Sequence, residues 1–150
     1  MCTAKYFIDK LEMIPHVEGG YYKECFLSDT KAWSSIYFLL EKGDVSHFHR
    51  LQSDELWYYH AGSALTIYII DEEGSLSAKQ LGLDIAKGEA PQVLVPRGTI
   101  FGSAQNEEGF SLVGCMVAPA FTFEGFELFE REELLIKYPA HKDIITRLTR

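Results

Sequence analysis

Gly43-Asp44-Val45-Ser46-His47-Phe48-His49, continued by Glu55 and Gly62, is the stretch on which the fold and chemistry of this 150-residue chain turn. Side chains on a β-strand alternate with period two, so His47 and His49 are expected on one face. Gln52-Ser53-Asp54 supplies a turn, after which Glu55 opens the next strand and offers a carboxylate from the neighbouring rung. Two imidazoles and one carboxylate with open positions form a facial triad suited to a divalent transition metal. His47, His49 and Glu55 are therefore the candidate metal ligands, with Fe, Mn, Ni and Zn all compatible. In the competing reading the same histidines only hydrogen-bond within a polar cavity and no metal binds.

Outward from this stretch, Tyr21 to about Met116 consists of short segments rich in Val, Ile, Tyr, Phe and Trp. Gly43, Gly62, Gly74, Gly82, Gly88, Gly98 and Gly109 punctuate them. That rhythm predicts many short antiparallel strands, closed as a sandwich or barrel. Asp71-Glu72-Glu73-Gly74 reads as a hairpin turn between Leu65–Ile70 and Leu76–Leu81. Gly19-Gly20 reads as a tight turn before a strand beginning at Tyr21. Ala4, Phe7, Ile8 and Leu11 recur at helical spacing, with Thr3 as cap and Pro15 as stop. Arg131 to Lys137 and Asp143 to Leu148 read as two C-terminal helices, with Arg147 and Arg150 at the negative end of the last dipole. The expected architecture is one all-β domain over residues 1–150 with short helices at both ends.

Composition narrows the function classes. Fourteen basic against 22 acidic residues give a net charge of −8, which speaks against a nucleic-acid surface and against an anionic membrane. The 47% hydrophobic and 13% aromatic content supplies a full core and rules out intrinsic disorder. No apolar run reaches the roughly 20 residues that span a bilayer, and Met1 to Lys10 has no signal-peptide core. Cys2, Cys25 and Cys115 are odd in number and widely spaced, as expected of free thiols in a cytoplasmic protein.

The HxH, five residues, Glu, six residues, Gly arrangement resembles the first motif of the cupin superfamily. A counterpart of the second motif lies at Gly88 and Pro96-Arg97-Gly98-Thr99-Ile100-Phe101, but Phe101 stands where the family has its fourth ligand, a histidine, and Gln105 where Asn is usual. Phe101 cannot coordinate, so a metal would keep at most three protein ligands. A narrower resemblance runs along nearly the whole chain: His16-Val17-Glu18-Gly19-Gly20-Tyr21-Tyr22-Lys23-Glu24, Ser35–Leu40, His49–Trp57, Pro91–Pro96, Ser111–Cys115 and Val117–Phe121. Together these look like the Cupin_5 family. The resemblance implies a double-stranded β-helix, the cupin jelly roll, a homodimer, and a likeness to sugar-nucleotide epimerases without an established reaction.

Trp57 and Tyr59 share parity with Glu55 and are expected to line the pocket with it. Tyr21 or Tyr22 is placed to reach the cavity mouth, while Gln92 and Phe101 complete the candidate ligand-binding set. His47 or His49 is the candidate base, and Tyr59 or Tyr22 the acid. Arg50 is expected to pair with Asp54 or Glu55. Phe121, Phe123, Phe126 and Phe129 read as a barrel plug or a dimer seam, and His16, His60 and His141 carry no assigned chemistry. The functional expectation is an epimerase or isomerase of a carbohydrate-like or keto substrate, with or without a divalent metal and without an organic cofactor. The alternative is a non-catalytic, metal-free module binding a sugar or other small metabolite.

Overall fold

Local signals hold the ends of the chain. In the computed structural model, which describes residues 2–150, helix α1 spans Ala4–Lys10, and the Thr3 hydroxyl caps it by accepting from the Tyr6 amide at 3.2 Å. The helix stops well before Pro15, because Glu12 turns into the left-handed region at φ 54°. Then follow β1 (Ile14–Pro15), β2 (Tyr21–Leu27), β3 (Ser34–Glu41), β4 (Val45–Leu51), β5 (Asp54–Gly62), β6 (Leu65–Ile70) and β7 (Leu76–Leu81). After a 3-10 turn come β8 (Glu89–Ala90), β9 (Gln92–Val95), β10 (Ile100–Ala104), β11 (Phe110–Ala118) and β12 (Phe126–Leu128). Helices α2 (Arg131–Lys137) and α3 (Lys142–Arg147) close the chain. The β6–β7 hairpin forms where its turn residues direct: Asp71 Oδ1 accepts from the Glu73 and Ser75 amides, each at 2.9 Å.

The strands form two six-stranded sheets, ordered β1-β2-β3-β11-β5-β9 and β12-β4-β10-β6-β7-β8. Phe38, Leu40, Trp57, Val93 and Val113 from the first sheet meet Leu51, Leu65, Ile67, Ile69 and Phe101 from the second in one buried interior. This is the expected all-β jelly roll, a double-stranded β-helix with short N- and C-terminal helices. Helix α1 covers the outside of the first sheet through Ala4, Leu39 and Leu112. The C-terminal helices cover the outside of the second, where Leu134, Ile145 and Leu148 pack against Phe48, Ile70 and Ile100.

One irregularity decides how β4 presents its side chains. Against β10, Phe101 pairs with His49 but Ser103 pairs with Ser46, so His47 and Phe48 together oppose Gly102. This is a β-bulge. The amides it frees are taken up from outside the sheet, His47 N–H by the Glu18 carbonyl at 2.6 Å and Phe48 N–H by the Leu148 carbonyl at 2.8 Å. Gly102 has no side chain because a Cβ there would lie 2.7 Å from the Ser46 carbonyl and 2.9 Å from Leu148 Cδ2.

Candidate functional site

Inside the barrel the bulge overturns the alternation expected of β4. Ser46 and His49 fall on the face of Ser103 and Phe101, three residues apart rather than two, and the Ser46 and Ser103 hydroxyls are bonded at 2.7 Å. His49 is 2% exposed, whereas His47 is only half-buried. The expected His47 and His49 pair on one face is therefore not formed.

His49 is instead held by a residue that spacing did not single out. The His16–Gly20 loop lies over the start of β4, where glycine is required at position 19 both by its φ of +112° and because a Cβ would stand 2.1 Å from the Val45 carbonyl oxygen. This docking carries the Glu18 carboxylate inward, where Oε2 accepts from His49 Nε2–H at 3.0 Å. His49 Nδ1–H donates to the His47 carbonyl at 2.7 Å. A carbonyl and an ionised carboxylate facing the two ring nitrogens both favour the doubly protonated imidazolium form of His49. Burial works against that charge, but Glu18 outweighs it by charge and hydrogen bond and raises the His49 pKa. In return, burial would raise the Glu18 carboxyl, yet His49 holds it below the usual range. His16 joins as a neutral ring: its Nδ1 accepts from the Glu18 amide at 3.0 Å, and burial lowers its pKa. The ring meets Tyr22 edge-on at 4.6 Å and Phe38 at 5.9 Å.

Glu55, Trp57 and Tyr59 do share the inward face of β5, opposite Val117, Cys115 and Val113 of β11. Glu55 is 7% exposed, and burial, opposed by His49 and reinforced by Glu18, pushes its carboxyl from 4.5 to about 7. The Cys115 thiol is pushed well above its ordinary value, first by burial and then by the Glu55 charge. Trp57 is 1% exposed between Phe38 and Phe101, and its Nε1–H has no partner among the described residues. Phe101 stacks obliquely on His49 with ring centroids 4.1 Å apart. Tyr59 donates its hydroxyl to the Gly62 carbonyl at 2.6 Å.

Other expectations are corrected. Tyr22 faces the interior opposite Phe38, but Tyr21 packs on the outer face against the α1 cluster, away from the interior. Gln92 is exposed, because Val93 and Val95 take the inward positions of β9. Arg50 pairs with Glu127 of β12 at 2.5 Å, not with Asp54 or Glu55. Phe129 is buried under the C-terminal helices and Phe126 packs against the interior 5.4 Å from His49, while Phe121 and Phe123 remain on the surface.

Among the described residues, no group of three His, Cys, Asp or Glu side chains is arranged to hold a metal ion. The donor set explains this: both nitrogens of His49 are engaged, and His47 stands off the face that carries Glu55. His47, His49 and Glu55 as they stand do not fit a metal. His47 Nδ1 is buried and has no partner among the described residues. No helix is long and apolar enough to cross a membrane among the described residues.

The model of the Cupin_5 family, described as Cupin superfamily (DUF985), matches residues 5–129. A Shewanella oneidensis protein of known crystal structure is 58% identical, with a TM-score of 0.97 over 100% of this chain and 99% of that one. A hypothetical protein from Leishmania major is 36% identical, with a TM-score of 0.92 over 99% of both chains. Bacillus subtilis oxalate decarboxylase, a protein with Mn(II) centres, shares the fold at 18% identity and a TM-score of 0.61, over 91% of this chain and 37% of its own. No curated protein matches the chain.

Proposed function

The chain belongs to the Cupin_5 family of the cupin superfamily, and from that premise we propose that it is an acid–base isomerase or epimerase acting on a small carbonyl compound. The observation that carries the proposal is the buried trio in the barrel, an imidazolium clamped by one carboxylate with a second carboxyl beside it. A base works best when its pKa lies near the working pH, and Glu55 is poised at about 7. In its ionised form Glu55 removes the proton α to the carbonyl. The C–H electron pair becomes the C=C bond of an enolate, and the carbonyl π pair moves onto oxygen. His49, kept positive by Glu18, stabilises that oxygen by its charge in a medium of low dielectric. Glu55 then returns the proton on the same face to the neighbouring carbon, while a hydroxyl on the α-carbon passes its proton to the enolate oxygen and becomes the new carbonyl, so the isomerisation is redox-neutral. Inversion at the same carbon requires the enolate to turn its other face to Glu55 first. Glu18 is a positioning residue, and the aromatic walls of Trp57, Phe38 and Phe101 keep water away from the enolate.

Mn(II) centres belong to the oxalate decarboxylase of similar fold. In this chain the His49 nitrogen that would ligate a divalent metal is spent on Glu18, and the proposed reaction uses none. Phe101, filling the place of the second-motif histidine, favours a second reading, a metal-free module that binds a sugar or metabolite and changes no bond.

Solvent-deuterium exchange into keto-sugars and small ketones, followed by NMR, tests the proposal. The wild type is expected to exchange the α-proton, and Glu55→Gln to lose at least about 100-fold of that rate. Ligands that bind without exchanging would select the binding module. Stoichiometric metal in protein purified without a histidine tag, lost in His49→Ala, would overturn the metal-free assignment.

A further inference from the structure

We propose that the barrel selects an uncharged hydroxycarbonyl compound and takes one of its oxygens on Trp57 Nε1–H, an inference that rests on the acid–base reading of this site. Two observations carry it. The first is the charge inventory of the interior. Among the described residues Glu18, His49 and Glu55 are the buried charged ones, two carboxyls to one imidazole, and no Lys or Arg is buried. Arg50 is committed to Glu127, and Arg150 is exposed with its guanidinium on the Val17 carbonyl. A phosphate or carboxylate on the substrate would enter beside two carboxyls with the single imidazolium already shared. Burying such an unpaired anion is heavily penalised, and like charges placed together exclude the wrong partner. A hydroxyl-bearing ketone or aldehyde without an acidic group meets no such barrier.

The second observation is the indole N–H. Trp57 is 1% exposed, its ring touches Phe38 and Phe101, and the same two rings border His16 and His49. Its Nε1–H is buried without an acceptor among the described residues. Buried indoles normally find one, and an unmet donor is destabilising until something supplies an oxygen. A neutral carbonyl or hydroxyl oxygen does so without adding charge. The aromatic faces of Trp57, Phe38 and Phe101 suit the C–H surface of a sugar or small ketone.

The test uses matched pairs on the intact protein: dihydroxyacetone against its phosphate, fructose against its 6-phosphate, and hydroxyacetone against pyruvate. Thermal shift reads binding, and NMR reads solvent-deuterium exchange. The uncharged member of each pair is expected to bind at least about 100-fold more tightly than its anionic partner. Trp57→Phe keeps an aromatic ring and forfeits no protein hydrogen bond; it is expected to weaken the uncharged ligands about 10-fold. The indole N–H proton resonance of the wild type, shifting on addition of dihydroxyacetone, reads the same contact should the variant fail to fold. Phosphorylated or carboxylated members that bind as well as their partners and exchange their protons would overturn the selectivity while leaving the acid–base reading intact. Uncharged members that bind selectively but never exchange would overturn the reaction and uphold the selectivity. Binding unchanged in Trp57→Phe, with an unmoved indole resonance, would overturn the oxygen contact. No binding by any pair would overturn both proposals.

Discussion

Replacing Glu55 by Gln should change how the protein's stability depends on pH, by an amount the site itself sets. The Glu55 carboxyl is pushed from 4.5 to about 7, chiefly by burial. Below pH 4.5 it is protonated whether the chain is folded or not, and its contribution to stability is fully present. As pH rises towards 7 the unfolded chain releases this proton while the folded chain keeps it, so that contribution is progressively lost. At about 1.36 kcal/mol per pH unit, the gap between the two values comes to about 3 kcal/mol. Glutamine is nearly isosteric and does not titrate, so its stability relative to wild type should improve by about 3 kcal/mol between pH 4 and pH 8. Any fixed cost of the amide beside Cys115 shifts the whole comparison without altering its slope. Urea unfolding at half-unit pH steps measures the difference, with the buried Trp57 as a fluorescence reporter. Thermal melts should show the two midpoints moving relative to each other by roughly 6–12 °C across that range. Parallel stability curves for wild type and variant would refute the reasoning, because they would mean that Glu55 ionises in the folded protein as it does in water.

Three further outcomes are expected. Glu18→Gln removes the group that opposes desolvation at His49, so the His49 pKa, raised in the wild type, should fall below 6.5 in an imidazole NMR titration. The wild-type His49 contribution to stability is present below pH 6.5 and lost as pH rises through the folded value, and the variant should lose that dependence. Gly19→Ala places a Cβ 2.1 Å from the Val45 carbonyl at φ +112°, and should cost at least about 2 kcal/mol in urea unfolding and release His49 as Glu18→Gln does. The homodimer implied by the family resemblance is proposed to bury the apolar end of β2, where Phe26 and Leu27 are 68% and 63% exposed. Light scattering should then give about twice 17.0 kDa, and Phe26→Glu should return the monomer.

What was legible in the chain tracks how local its determinants are. The β6–β7 hairpin is readable because Asp71 and Gly74 carry the turn within five residues. The N-terminal cap is readable because Thr3 bonds three residues on. Glu55, Trp57 and Tyr59 are placed correctly because β5 keeps its alternation through them. His47 and His49 are not, because the bulge between them is held by carbonyls of Glu18 and Leu148, far away in sequence. Arg50 looked to nearby acids and found Glu127, 77 residues on. Glu18 had one visible signal, the glycine pair after it, which announced a close backbone approach but not what it would deliver.

Glu18 and Phe101 together show how a His-x-His strand can change its chemistry without losing its histidines. Phe101 occupies the second-motif position of a ligand, 4.1 Å from the His49 ring, and offers no lone pair. Glu18 supplies the opposite of what a cation would: it takes the ring nitrogen a metal would need and places a negative charge in the barrel. The two occupants act on Glu55 in opposite directions. A bound divalent ion would hold that carboxylate ionised and its pKa low, making it a ligand. Burial, reinforced by the Glu18 carboxylate, instead raises it to about 7. In the proposed reaction His49 and Glu55 do Brønsted rather than Lewis-acid work.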